Sequence, residues 1–466
     1  MFYVPILLLL LLFWVLCIYD CAKPPAFPPG PKWLPLLGCF PKFRRLRLKH
    51  GFTYLAFEEL MKTYGPILGL KLGNQKVVVI STHDLVKKVL LQDDFNGRPD
   101  GFFFRVRAFG KRKGVLFTEG PTWSQCRRFT MRHLRMFGLG QATMTNHLVV
   151  EAENLVDYLH RMSKKGPVAM HTAFDIAVLN SLWSMFAGHR FEYGDKKLID
   201  MLVVAHDSRS LEDTELTDTM GGALSQMPFL RFIMPDLCGY NELMRVLQSL
   251  WSFLDEEITI HEKRLSGNQA EDLIDAFLLE ISSNKDVPNN AIFDRELIRV
   301  LSGENLLVLY ELDKVVGRTR SPSLEDYSSL PLMEAFLAEV QRYLILAPLG
   351  VPHKTMKDIA LNGYRIPKDT IVLLDFHSVH NDTEYWDQPE EFRPERFLDE
   401  KGRFCEMLAR SSLFLFFAYV MHYFDFEISP EHGKPDPVGF DGFTVSPKPY
   451  YLKLTARSDI SNIHER

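Results

Sequence analysis

Apolar and polar positions alternate along this chain in two distinct rhythms. From Trp123 to about Ile281 they recur with helical spacing, in amphipathic runs such as ENLVDYLHRM and ELMRVLQSLWSFLDEEITIHEKRL, which predicts a largely helical body. Gly65 to Ile80 (GPILGLKLGNQKVVVI) instead predicts two strands about the turn Gly73-Asn74-Gln75, followed by a helix capped by Ser81 or Thr82 and running through Leu91. Strand spacing returns from Thr355 to Phe376, with turn chemistry at Asn362-Gly363 and at Pro367-Lys368-Asp369. Asp425 to Thr455 alternates more weakly and predicts one further hairpin. The class is mostly α with small β-sheets. No internal repeat, low-complexity tract or Gly/Ser linker follows residue 35, so the body reads as a single large domain over residues 36–466.

The amino terminus follows neither rhythm. Phe2 to Tyr19 is eighteen residues without a charge, enough to cross a bilayer as a helix, and Asp20 ends it. A cleaved signal peptide is the rival reading, but the basic start and a small-residue cleavage site are missing. Residues 2–20 are therefore expected to be a transmembrane signal anchor. Lys23, Lys32, Lys42, Arg44, Arg45, Arg47 and Lys49 follow it, which places the main domain in the cytosol. Residues 21–35, with Pro24, Pro25, Pro28, Pro29 and Pro31, predict a stiff extended hinge.

Composition narrows the function classes. With 46% hydrophobic and 24% charged residues the chain is globular, and its net charge of -5 offers nothing to nucleic acid. The six cysteines are scattered without a CxxC pair, which fits reduced thiols.

Three short constellations carry candidate chemistry. Trp123 and Arg127 lie one helical turn apart, so an indole N–H and a guanidinium can reach one anionic group; a half-buried Trp beside a solvated basic face is the plainer alternative. Glu339 and Arg342 stand at i and i+3, as in many ordinary surface pairs. Arg396 sits in FRPERF between two phenylalanines, which fits either a partner for a buried carboxylate or a simple loop plug.

In order and spacing, PPGPKWLPLLG, FNGRPD, WSQCRRFTMRHLRMFG, AFLAEVQRYLILAPLGVPH and GYRIPKDTIVLLDFHSVHNDTEYWDQPEEFRPERFLDE resemble the microsomal cytochrome P450 superfamily, the heme-thiolate monooxygenases. The resemblance implies the cytochrome P450 fold and a heme b cofactor with its iron. It also implies insertion of one oxygen atom from dioxygen into an apolar small molecule, with electrons from NADPH through a reductase. Trp123, Arg127 and His353 would donate to a heme propionate. Glu339, Arg342 and Arg396 would form a buried structural triad. Arg128, Arg132, His133 and Arg135 would belong to the basic face on which NADPH-cytochrome P450 reductase docks, with cytochrome b5 a further partner. The location implied is the endoplasmic reticulum membrane. Substrate contacts are expected from Phe102 to Phe117, Met201 to Leu230 and Leu346 to Val351; core and membrane-contacting loops are the alternative.

Two elements depart from the family pattern. The glycine-rich loop F-x-x-G-x-R-x-C-x-G is missing: PERFLDEKGRF runs straight into CEMLARSSLFLFF, and Cys405 lies eight residues after Phe397. Cys405 also stands two positions closer to Ala409 than the pattern asks, about 200 degrees of helix rotation. Cys405 thus reads either as the iron-binding thiolate at a helix start or as an inert small residue. In LIRVLSGENLLVLYELDKVVGR, residues 297 to 318, Ser302-Gly303-Glu304 faintly echoes A-G-x-x-T, but no oxygen-activating threonine follows and ELDKVVG begins too soon. A heme-free, catalytically inactive, membrane-anchored binding protein is therefore the alternative function.

Overall fold

The computed structural model describes residues 11, 14–139, 142–207, 224, 227–265, 269–283, 331–399, 411–436, 439–441, 445 and 447–457. Helices α1 (Phe40–His50) and α2 (Thr53–Tyr64) precede strands β1 (Ile67–Leu72) and β2 (Gln75–Ile80), and α3 (His83–Leu90) follows them. The body then holds α4 (Gly120–Met136), α5 (Ala142–Ser163), the short β3 (Val168–Ala169), α6 (Asp175–Ala187), α7 (Lys196–Asp207), α8 (Tyr240–Arg264) and α9 (Leu273–Ser283). After α10 (Pro331–Leu344) come β4 (His353–Lys354), β5 (Ile359–Leu361), β6 (Tyr364–Ile366), β7 (Ile371–Leu374) and α11 (Phe376–His380). The last described elements are α12 (Ser411–Tyr423), β8 (Phe424–Ile428) and β9 (Tyr451–Ala456). This is the expected mostly helical architecture with small sheets.

The turns form where backbone chemistry allows them. β1 and β2 pair antiparallel from Leu72↔Gln75 outwards about Gly73, which is left-handed at φ 57°. Asn362 and Gly363, with φ of 45° and 82°, close the β5–β6 hairpin. Thr82 stands at the N-cap of α3 in extended backbone but makes no side-chain capping bond, and the Ser81 hydroxyl donates instead to the Pro66 carbonyl at 3.3 Å. The C-terminal alternation becomes β8 and β9, paired from Phe424↔Ala456 to Ile428↔Leu452.

The largest sheet runs β1-β2-β7-β4. β2 and β7 are parallel, Val77 against Ile371, so the helical body is inserted between two neighbouring strands. The main core gathers α5, α6, α9 and α12 through Leu155, Val156, Trp183, Phe277, Phe416 and Tyr419.

The proline-rich stretch is fastened to β1. The Gly69 amide donates to the Pro29 carbonyl at 2.7 Å, and a Cβ on Gly30 would lie 1.9 Å from the Gly69 oxygen, so only glycine fits there. The buried Lys71 ammonium pairs with the Asp20 carboxylate, which also accepts the Leu36 amide at 2.7 Å. The Lys23 and Lys71 ammonium groups lie 5.9 and 5.8 Å from the centre of the Trp33 ring. Most of the expected anchor, residues 2–20, lies outside the described residues. Residues 14–21 are helical and expose Trp14, Leu16 and Tyr19. Among the described residues no helix is long and apolar enough to cross a membrane.

At the β7–α11 joint, Asp375 caps the helix, accepting from the Ser378 amide at 3.1 Å and its hydroxyl at 2.9 Å. Complete burial pushes its carboxyl up to about 7, against those bonds and with the charge of Glu58 adding to the rise. An unfolded Asp releases its proton near 4, so stability falls as pH rises from about 4 to 7. Asp375→Asn keeps both contacts and removes the charge. The variant should match the parent near pH 4 and gain up to ~4 kcal/mol over it at pH 8, read from denaturation midpoints at both pH values; a constant difference would refute this.

Candidate functional site

Helix α4 lays Cys126 and Thr130 on the core and turns Trp123 and Arg127 away from it. The Arg127 guanidinium lies 5.5 Å from the Trp123 ring centre, and the Trp123 indole N–H donates to the Val115 carbonyl at 3.0 Å. One turn earlier Glu119 occupies the N-cap position of the helix.

His353 opens β4 opposite Val372. Its Nδ1 lies 2.9 Å from the Phe95 carbonyl, and burial together with the nearby Arg98 charge holds its imidazole below the usual histidine range. The ring is thus neutral at pH 7, with the Nδ1 proton donated to Phe95. Arg98 was not singled out from the sequence, although FNGRPD contains it. Its half-buried guanidinium donates to the Pro352 carbonyl at 3.3 Å, and burial holds it below the usual arginine range although the nearby Glu119 charge works the other way.

Glu119 joins these segments. Its carboxylate accepts the Arg98 amide at 2.7 Å, Arg112 Nη1 at 3.1 Å and Lys354 Nζ at 3.0 Å. Burial works against the charge, but those donors outweigh it and hold the carboxyl below the usual range. Two guanidinium groups, those of Arg98 and Arg127, are so carried on segments tied to one carboxylate and suit an anionic ligand, while the Trp123 indole N–H and the His353 Nδ1 proton are given to the Val115 and Phe95 carbonyls.

Glu339, Arg342 and Arg396 meet. Arg342 grips the carboxylate with Nε at 2.7 Å and Nη2 at 2.9 Å, and Arg396 Nε reaches it at 3.2 Å. The remaining guanidinium donors go to backbone carbonyls of His380, Asp387, Gln388 and Glu391. Burial raises the Glu339 carboxyl, yet the Arg342 bonds, the Arg393 amide and the Arg396 charge bring it below its ordinary value.

Of the segments expected to touch substrate, Phe103, Phe104 and Phe117 are buried together with Leu116 and Val351 packed on them, so the Phe102–Phe117 and Leu346–Val351 regions adjoin. Cys405 and residues 297–318 lie outside the described residues.

The sequence profile of the family Cytochrome P450 matches residues 28–307 and 308–454. The chain is 32% identical to farnesoate epoxidase of Bombyx mori, over 94% of this chain and 95% of that protein. It is 32% identical to probable cytochrome P450 305a1 of Drosophila melanogaster, over 95% and 96%. Cytochrome P450 2D6 of Homo sapiens is 31% identical over 92% of this chain and 94% of its own. The profile match breaks between Leu307 and Val308, inside the stretch that lacks the threonine. The first alignment spans 479 positions against a chain of 466 residues, so the relative carries residues without a counterpart here.

Proposed function

Since this chain belongs to the cytochrome P450 family, we propose that it is a heme-thiolate monooxygenase that inserts one oxygen atom from dioxygen into an apolar small molecule. The observation that carries this reading is the set of segments tied together by Glu119, with Arg127 and Arg98 as the charged partners of the heme propionates; Trp123 and His353 join them once the indole N–H leaves the Val115 carbonyl and the imidazole takes up a second proton. The thiolate of Cys405 would hold the heme iron. Heme, when bound, supplies the activation of dioxygen. The protein's part is to hold the propionates, to keep water out with the apolar wall of Phe103, Phe104, Phe117 and Val351, and to keep the scaffold rigid through the Glu339 triad. Electrons arrive from NADPH through a reductase, which docks on the face carrying the exposed Arg128, Arg132 and Arg135, with His133 beside them and cytochrome b5 as a second partner. Residues 2–20 anchor the chain in the endoplasmic reticulum membrane with the body in the cytosol. The exposed apolar residues of the helix at 14–21 support this, as do Phe229, Phe232, Ile233 and Leu237.

A second reading, a heme-free membrane-anchored binding protein, is favoured by the break at Leu307 and by the missing glycine-rich loop. One experiment separates the two. Membranes containing the full chain are supplied with heme, reduced and exposed to carbon monoxide. A strongly red-shifted Soret band is expected and should vanish in Cys405→Ala. Folded protein without any heme signal would leave only the second reading, and a Soret band unchanged in Cys405→Ala would refute the ligand assignment.

A further inference from the structure

Glu119 is not among the groups assigned to heme, yet it bonds to the segments that carry them. We propose that Glu119 is the positioning residue of the propionate end of the site; the inference rests on the reading of Trp123, Arg127, His353 and Arg98 given above.

The backbone of residue 98 is held at both ends. Its N–H goes to Glu119 Oε2 at 2.7 Å, and its carbonyl accepts Arg112 Nη2 at 3.2 Å. Arg112 and Lys354 both bond to Glu119 Oε1, and the Lys354 amide donates to the Gly97 carbonyl at 2.7 Å, which draws β4 against the loop. Gly97 makes room for this: a Cβ there would lie 2.6 Å from the Lys354 oxygen and 3.1 Å from Glu119 Oε2. Glu119 thus sorts the cations. Arg112 and Lys354 are engaged by its carboxylate, while the Arg98 side chain stays with the Pro352 carbonyl beside His353. Glu119 is also the N-cap residue of α4, without a side-chain capping bond, so its backbone leads directly into the helix that carries Trp123 and Arg127.

Coulomb's law alone points the other way. Removing a negative charge beside an anion site should tighten anion binding, whereas losing a positioning group should weaken it. The sign of the effect therefore decides. The full chain is loaded with heme, and heme transfer to excess apomyoglobin is timed for the parent, Glu119→Gln, Glu119→Asp and Arg127→Ala. Glu119→Gln should lose heme roughly 10-fold faster, with Glu119→Asp recovering part of the difference. In heme-free protein, hydrogen exchange at the Arg98 amide should quicken in Glu119→Gln. Heme loss at the parent rate or slower, or unchanged exchange at Arg98, overturns the proposal. A parent-like rate in Arg127→Ala would overturn the donor assignment instead, and the exchange measurement would still decide the part of Glu119.

Discussion

Replacing Glu339 by Gln should cost the fold about 3–5 kcal/mol. Glu339 is fully buried and Arg342 is 2% exposed, so the Arg342 guanidinium cannot turn to water for compensation. One oxygen takes Arg342 Nη2, the Arg393 amide and Arg396 Nε; the other takes Arg342 Nε. Gln supplies one acceptor and sets an amide N–H against an arginine that does not deprotonate. The measurement is the denaturant midpoint of the purified chain. A loss below about 1 kcal/mol would mean that the backbone carbonyls around Arg342 and Arg396 suffice without the carboxylate. Replacing Glu339 and Arg342 together by Leu should cost less than the single change, because no unpaired charge then remains at position 342. The parent itself should lose this contribution on acidification: the folded Glu339 carboxyl lies below the unfolded value of about 4.3, so the stability is present above that pH and fades beneath it.

Phe416→Ala should cost a similar amount, about 3–5 kcal/mol. Phe416 has no exposure and sits in α12, whose Leu415, Ala418, Tyr419 and Val420 share the main core with Leu155 and Val156 of α5. On the same helix Phe417 stacks on Phe336 of α10 at 5.5 Å, so α12 is wedged between two parts of the body. Helix α12 begins at Ser411, six residues beyond Cys405. Unseating it should therefore lower the heme-thiolate band along with the unfolding midpoint. Phe416→Leu, which leaves a smaller void, should restore most of both; a stable Phe416→Ala chain with a full band would refute the coupling.

Local chemistry was legible and distant pairing was not. Asn362-Gly363 and Gly73-Asn74 announce their hairpins because left-handed backbone has few tenants, and the helical body follows from its apolar period. Glu339 and Arg342 at i and i+3 must share a helix face, but spacing alone gave no reason to bring Arg396 to them from another segment. Trp123 and Arg127 likewise share a face, while the Val115 carbonyl that takes the indole proton carries no signature. The parallel partnership of Val77 with Ile371 has no local signal at all, since each strand reads the same whichever neighbour it meets. Arg98 and Glu119 were missed for the same reason: each is an unremarkable polar residue until β4 is brought against the loop at 97 and 98.

The bond of Lys71 to Asp20 and of Gly69 to Pro29 has a mechanical meaning. A stiff tether held only at its ends would pivot there, but one riveted to β1 transmits force. Tension applied at residue 20 passes into β1 and is borne by the β1–β2 ladder, so the body leans and turns together with whatever holds its amino terminus.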